Sequence, residues 1–170
     1  MILISGSSGS GKSAYAEALA ATIDLPRYYI ATMVPQNEEN EKRIEKHRRQ
    51  RKGLGFHTIE EPCFVSRAQV QSDSLVLLED ASNLLANMVF AEHGTAEDAL
   101  SEILLLRETC RHLLVVTISG LPEGAYEGET AEYIRSMHWL NRQLLLAADE
   151  AVELRYGEPV KRKGGCNGIL

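Results

Sequence analysis

The apolar run Ile2-Leu3-Ile4, leading into Ser5-Gly6-Ser7-Ser8-Gly9-Ser10-Gly11-Lys12-Ser13, constrains this chain more than any other stretch. Gly6, Gly11, Lys12 and Ser13 fit the pattern G-x-x-x-x-G-K-[ST]. The spacing has a physical requirement behind it. A loop of small residues turns its backbone N–H groups inward around the β- and γ-phosphates of a nucleotide, and glycine permits dihedrals and close approach that a Cβ blocks. Gly6, Ser7, Ser8, Gly9, Ser10, Gly11, Lys12 and Ser13 are therefore the expected nucleotide-binding residues. Lys12 is expected to act catalytically as a point charge on the outer phosphates, and Ser13 to place its hydroxyl on Mg²⁺. A helix beginning near Gly11 directs its positive end at the same phosphates. By residue frequencies the pattern arises by chance in on the order of one chain in a hundred of this length. Here it follows a run of strand length and precedes the helix-forming Ala14-Tyr15-Ala16-Glu17-Ala18-Leu19-Ala20-Ala21, the strand–loop–helix setting that the motif needs.

Such a loop needs a sheet to stand on, and the chain is long enough to supply one. With 170 residues and 44% apolar content, it can bury roughly 70% of its unfolded surface in one core. A single domain over residues 1–170 is the expectation. Strand-like apolar runs at 2–5, 28–32, 75–79, 113–118 and 151–154 alternate with helical stretches near 12–22, 38–52, 81–92, 96–111 and 130–148. Continuous apolarity suits strands covered on both faces. The fold class is thus α/β: a three-layer phosphate-loop NTPase-like (RecA-like) domain with a mostly parallel central sheet. Residues 53–62 and 120–128 read as loops from their glycines and prolines, and the tail 161–170 as frayed.

A formal net charge of −6 argues against wholesale binding to nucleic acid or anionic membrane. No run approaches the ~18 apolar residues of a membrane span, and no basic region with an apolar stretch opens the chain, so the expectation is a cytoplasmic protein. Cys63, Cys110 and Cys166 have no C-x-x-C spacing and suggest neither a disulfide framework nor a structural zinc site.

Three further features carry chemistry. The stretch 38–52 has Ile44 as its only aliphatic residue, so it cannot be held by burying a stripe. The pairs Glu38–Lys42, Glu39–Arg43 and Glu45–Arg49 stand at i,i+4, acidic before basic, as the helix dipole favours. The plain reading is a solvated helix; the sharper one notes Arg and Lys concentrated around His47, where a polyphosphate would be met. Like charge biases an imidazole toward its neutral, nucleophilic form. The run Leu75-Val76-Leu77-Leu78-Glu79-Asp80 ends an apolar strand in two carboxylates, where nucleotide-hydrolysing folds hold Mg²⁺. Glu79 is the first choice for that role. Asn141 lies on the apolar face of the last helix and is either a satisfied core residue or a site residue.

Together these motifs resemble the bifunctional adenosylcobinamide kinase/adenosylcobinamide-phosphate guanylyltransferase family. The resemblance runs over nearly the whole chain: Ser10-Gly11-Lys12-Ser13 with Ala16-Glu17-Ala18-Leu19, then Tyr29-Ile30-Ala31-Thr32, Arg43-Ile44-x-x-His47, Leu77-Leu78-Glu79 with Asn87, and Asn141 with Ala148-Asp149-Glu150. It implies phosphorylation of adenosylcobinamide, with ATP or GTP as donor, followed by transfer of GMP from GTP to the new phosphate. It also implies that His47 carries the GMP and that the protein is a homo-oligomer. The chain departs from the family at Gly9, where an Arg is usual, at Ile118-Ser119 in place of Asn-Glu, at Tyr133-Ile134-Arg135 in place of an aromatic-Arg-Asp run, and at His138-Trp139 in place of Gly-Arg. Two other readings stand beside it: a phosphate-loop kinase for another small hydroxylated substrate, and a GTP-dependent switch. The chain contains neither the N-K-x-D nor the D-x-x-G motif of such switches.

Overall fold

Strands that are apolar on both faces must lie inside a sheet covered on both sides, and the computed structural model, which describes residues 1–35 and 38–164, has that arrangement. The strands are β1 (Ile2–Gly6), β2 (Arg27–Ala31), β3 (Phe56–Glu60), β4 (Leu75–Glu79), β5 (His112–Ile118), β6 (Glu150–Arg155) and β7 (Glu158–Lys163). The helices are α1 (Lys12–Ala21), α2 (Glu38–Arg51), α3 (Ala81–Phe90), α4 (Ala96–Arg107) and α5 (Gly128–Ala147). Within α2 the side chains of Glu39, Asn40, Arg43, Lys46, His47 and Gln50 are not described.

The seven strands form one sheet in the order β3-β2-β4-β5-β1-β6-β7. All neighbours run parallel except β6 and β7, which pair antiparallel. Alternate residues of each central strand feed two cores. Ile2, Ile4, Leu75, Leu77, Leu114 and Val116 pack on Ala16 and Ala20 of α1. On the opposite face Leu3, Val76, Leu78 and Val115 pack on Leu84 and Leu85 of α3, Ile103 of α4 and Leu140 and Leu144 of α5. The three-layer α/β expectation holds, with β4 buried along its whole length. Among the described residues no helix is long and apolar enough to cross a membrane.

Two expectations are corrected. Residues 53–62 are not all loop, because β3 occupies Phe56–Glu60 and pairs with β2 from Arg27↔Phe56 to Ala31↔Glu60. As an edge strand it is only half-covered and lacks the continuous apolar run of its neighbours. The tail is not frayed from 161 on: Lys161, Arg162 and Lys163 belong to β7. Tyr156 (φ 52°) and Gly157 (φ 85°) supply the positive dihedrals of a two-residue hairpin loop, which returns the chain along β6. Charge on such an edge discourages pairing with other chains, so its basic composition is compatible with a strand. Cys166 lies outside the described residues; Cys63 and Cys110 are free thiols.

Candidate active site

The phosphate loop leaves the C-terminal end of β1 and turns directly into α1. Gly6 is required by close approach: a Cβ there would collide with Ser10 Oγ and stand 2.9 Å from the Leu154 carbonyl. Gly11 is required by conformation, since it caps α1 at φ 89°, a region that side chains strain. Ser7, Ser8 and Gly9 form the exposed crest. Lys12 folds back over it, its Nζ donating to Ser7 O at 3.3 Å. The Ser10 hydroxyl is buried without a partner.

Ser13 and Glu79, expected to share a metal, meet directly. The Ser13 hydroxyl donates to Glu79 Oε1 at 2.6 Å, while Glu79 Oε2 is buried without a partner. Burial, and after it the Asp80 charge, push the Glu79 carboxyl well above the usual carboxylate range; the Ser13 hydrogen bond and Lys12 pull the other way. An orphaned carboxylate oxygen beside a hydroxyl, close to a lysine, fits a small hard cation that keeps its remaining positions for phosphate and water. Among the described residues no cluster of three or more His, Cys, Asp or Glu competes as a metal centre. Asp80 serves the fold instead. As N-cap of α3 it accepts from Asn83 N at 2.8 Å and from Ser82 Oγ at 2.5 Å. Thr32 locks the corner, accepting from Asp80 N at 2.8 Å, and Asn87 braces it by donating to Thr32 O at 2.8 Å and Pro62 O at 3.0 Å. Glu79→Gln keeps the shape and removes the charge. It is expected to lower phosphoryl transfer by about 10²-fold or more and to flatten the Mg²⁺ dependence, measured as rate against Mg²⁺ concentration. A rate and Mg²⁺ profile like the parent's would move the role to another residue.

On the β2 side, α2 roofs a cavity of about 180 Å³ lined by Tyr29, Met33, Ile44, Arg48, Arg51 and Glu79, among others. The charged helix is held much as its sequence pattern requires. Lys42 lies 4.0 Å from Glu38, and Arg49 pairs with Glu45. The pair Glu39–Arg43 lies outside the described side chains. Arg48 pairs with Glu60 of β3, and Arg51 ends the helix buried, its guanidinium 3.5 Å over the Tyr29 ring. Neither contact was visible in the sequence, because each joins α2 to a strand that only the fold brings beside it. The position of His47 falls in α2, three residues after Ile44 and four before Arg51. Its side chain, and with it the expected downward shift of its pKa, lies outside the described residues.

Behind Arg51 stands Glu17 of α1, 4% exposed, with Oε1 unpartnered. Burial pushes its carboxyl up to about 7, against the pull of the Arg51 charge. A folded pKa above the unfolded value of 4.5 means that the native state holds the proton more tightly, so stability is lost as pH rises from there through about 7. Glu17→Gln is accordingly expected to be the more stable protein at pH 8, by on the order of 2 kcal/mol, with the gap closing toward pH 4. Thermal melts across that range check it.

On the β5 side, Asn141 proves to be a satisfied brace. It accepts from Thr117 Oγ1 at 2.7 Å and donates to Ile118 O at 2.8 Å, fixing α5 to the end of β5. Ser119 N donates to Gly6 O at 3.0 Å, which ties the next loop to the phosphate loop. Ile134 is buried, and His138 Nε2 lies 3.1 Å from Leu121 O. Asp149 holds Arg107 at 3.1 Å and the terminal ammonium of Met1, a structural corner far from the phosphate loop's end of the sheet.

Comparison with known proteins finds relatives over nearly the whole chain. The chain is 29% identical over 168 residues to the bifunctional adenosylcobalamin biosynthesis protein CobP of Pseudomonas aeruginosa, covering 95% of this chain and 96% of that one. It is 28% identical over 185 residues to the bifunctional adenosylcobalamin biosynthesis protein CobU of Salmonella typhimurium, covering 96% and 99%. A Pyrococcus horikoshii OT3 protein of solved structure superposes with a TM-score of 0.53 at 9% identity, over 99% of this chain and 88% of that one, a likeness of fold alone. The profile of one family, cobinamide kinase/cobinamide phosphate guanyltransferase, matches residues 2–162, from the start of β1 into β7. The chain belongs to that family.

Proposed function

We propose that residues 1–170 form one domain that phosphorylates adenosylcobinamide with ATP or GTP and then transfers GMP from GTP to the adenosylcobinamide phosphate, giving adenosylcobinamide-GDP in cobalamin biosynthesis. The observation that carries the reading is the Ser13–Glu79 pair beside Lys12, with a buried carboxylate oxygen left open, under a basic helix that contains His47. In the first reaction Lys12 and the loop N–H groups hold the outer phosphates. The substrate hydroxyl oxygen bonds to the γ-phosphorus as the bond to the β-phosphate oxygen breaks, the nucleoside diphosphate leaves, and the hydroxyl proton passes to solvent. Mg²⁺, held by Ser13 and Glu79, would offset charge on the phosphate oxygens. In the second reaction neutral His47 attacks the α-phosphorus of GTP. The P–N bond forms as the bond to the β-phosphate breaks, and pyrophosphate leaves. An oxygen of the corrinoid phosphate then attacks the same phosphorus, the P–N bond breaks, and the imidazole is restored. Arg48 and Arg51, which line the cavity beneath α2, support a site for the charge that builds on that phosphorus. The enzyme so described is a cytoplasmic homo-oligomer with no nucleic-acid or membrane partner.

Incubation with cobinamide, Mg²⁺ and GTP, followed by mass spectrometry of the corrinoid, tests the reading: a phosphate and then a GDP ester are expected. Ile118-Ser119 and Ile134 favour a second reading, in which only a kinase step is kept; the phosphate ester alone would select it. No change in the corrinoid, with phosphorylation of another hydroxylated compound, would select a kinase of different substrate.

A further inference from the structure

The geometry points to the wall made by loop 119–127 and the first turns of α5 as the docking surface for the acceptor corrinoid, with Glu123, Tyr126 and Arg135 as its specificity-determining residues. This rests on the proposed function for the identity of the acceptor, and on four structural observations for its place.

In the sheet, β5 lies between β4, which ends in Glu79, and β1, which ends in the phosphate loop. The chain leaving β5 therefore emerges between the carboxylate and the phosphates, and Ser119 N is bonded to Gly6 O. Second, α5 overhangs this end of the sheet. Asn141 is level with Ile118, the last residue of β5. At 1.5 Å per residue, the helix from Ala131 to Asn141 extends about 15 Å beyond the strand. Tyr133 OH donates to Ser82 O at 2.9 Å, so the overhang also abuts the start of α3, directly after Glu79-Asp80. Third, the opposite flank is already taken: the α2 cavity reaches Glu79 from the β2 and β3 side. A reaction that joins a nucleotide to a bulky acceptor needs two approaches to one phosphorus, and the loop 119–127 side is the second.

The fourth observation is chemical. The loop and helix enclose about 430 Å³ lined by Glu123, Gly124, Tyr126, Ile134, Arg135 and His138. A volume of that size holds an edge of a macrocycle and leaves the rest in solvent. A corrinoid edge is apolar ring fringed with amides, and each amide presents a donor and an acceptor. Glu123 accepts from an amide N–H, Arg135 donates to an amide carbonyl, and the exposed Tyr126 ring gives a face for the apolar edge. His138 positions the loop for this, its Nε2 lying 3.1 Å from Leu121 O and 3.6 Å from the Glu123 carboxylate.

Tyr126→Ala and Arg135→Ala alter side chains that are not buried, so both proteins should fold. Each is expected to raise KM for cobinamide about tenfold in the phosphorylation assay, while KM for ATP and the incorporation of α-labelled GTP into the protein stay within about twofold of the parent's. Unchanged KM for cobinamide in both variants overturns the docking surface and leaves the proposed function standing. An equal rise in KM for ATP also overturns it, because the wall would then serve the nucleotide. A parent protein that neither binds nor phosphorylates cobinamide overturns the function and this surface together.

Discussion

Lys12→Ala is expected to abolish nucleoside triphosphate turnover in both reactions, by about 10³-fold or more, and to leave a folded protein. Its ammonium sits back on the loop, 3.3 Å from the Ser7 carbonyl, where it would meet the oxygens on which charge develops during transfer. Phosphoryl transfer draws almost wholly on such positioning and charge, so nothing else in the loop replaces it. Lys12 is 9% exposed, and removing its stem leaves a small void at the loop's surface, costing about 1 kcal/mol. The check is paired: steady-state rates with ATP and with GTP, and a thermal melt of the same sample. Parent-like kinetics in the folded variant would end the assignment of the loop.

His47→Ala is expected to separate the two reactions. Protein incubated with GTP labelled at the α-phosphorus should carry label through a bond that acid breaks and alkali does not, as a phosphoramidate behaves; the variant should carry none and make no GDP ester. Cobinamide phosphorylation should continue, since that step needs no covalent protein nucleophile. Attack requires the neutral imidazole, so labelling should fall as pH drops through the pKa of His47. Arg and Lys are concentrated around this histidine in the sequence, so the expectation is a pKa below the ordinary imidazole value and labelling that persists at neutral pH. Label retained in the variant would move the nucleophile elsewhere, with His57 on β3 the nearest histidine in sequence.

What was legible in the sequence was what local spacing carries. The phosphate loop could be read because its glycines, Lys12 and Ser13 answer to one another within eight residues, and Glu79 because an apolar run stops there. The meeting of Ser13 with Glu79, 66 residues apart, followed from the expectation that both face one metal. Edge strands were another matter. β3 lies beyond two glycines and is only half-covered, and β7 is mostly charge, so neither showed the continuous apolarity that marks a buried strand. The stack of Arg51 on Tyr29, with Glu17 behind, was hidden for a different reason. It joins two helices and a strand, and a basic residue at the end of a charged run looks like solvent-facing decoration until the fold brings an aromatic face to it. Asn141 could be placed on an apolar face, but its purpose could not be read there; its two hydrogen bonds to the end of β5 make it a brace.

The position of β1 has a consequence for the order of assembly. Its partners are β5 and β6, so the earliest strand of the chain waits for more than a hundred residues before either neighbour exists. Contacts of that separation make folding slow, because loop closure must precede the pairing that rewards it. During synthesis the strand that carries the phosphate loop thus precedes both of its neighbours and is seated only once β5 and β6 have been made. Nucleotide capture by a chain emerging from the ribosome would then report that β5 and β6 have closed on β1.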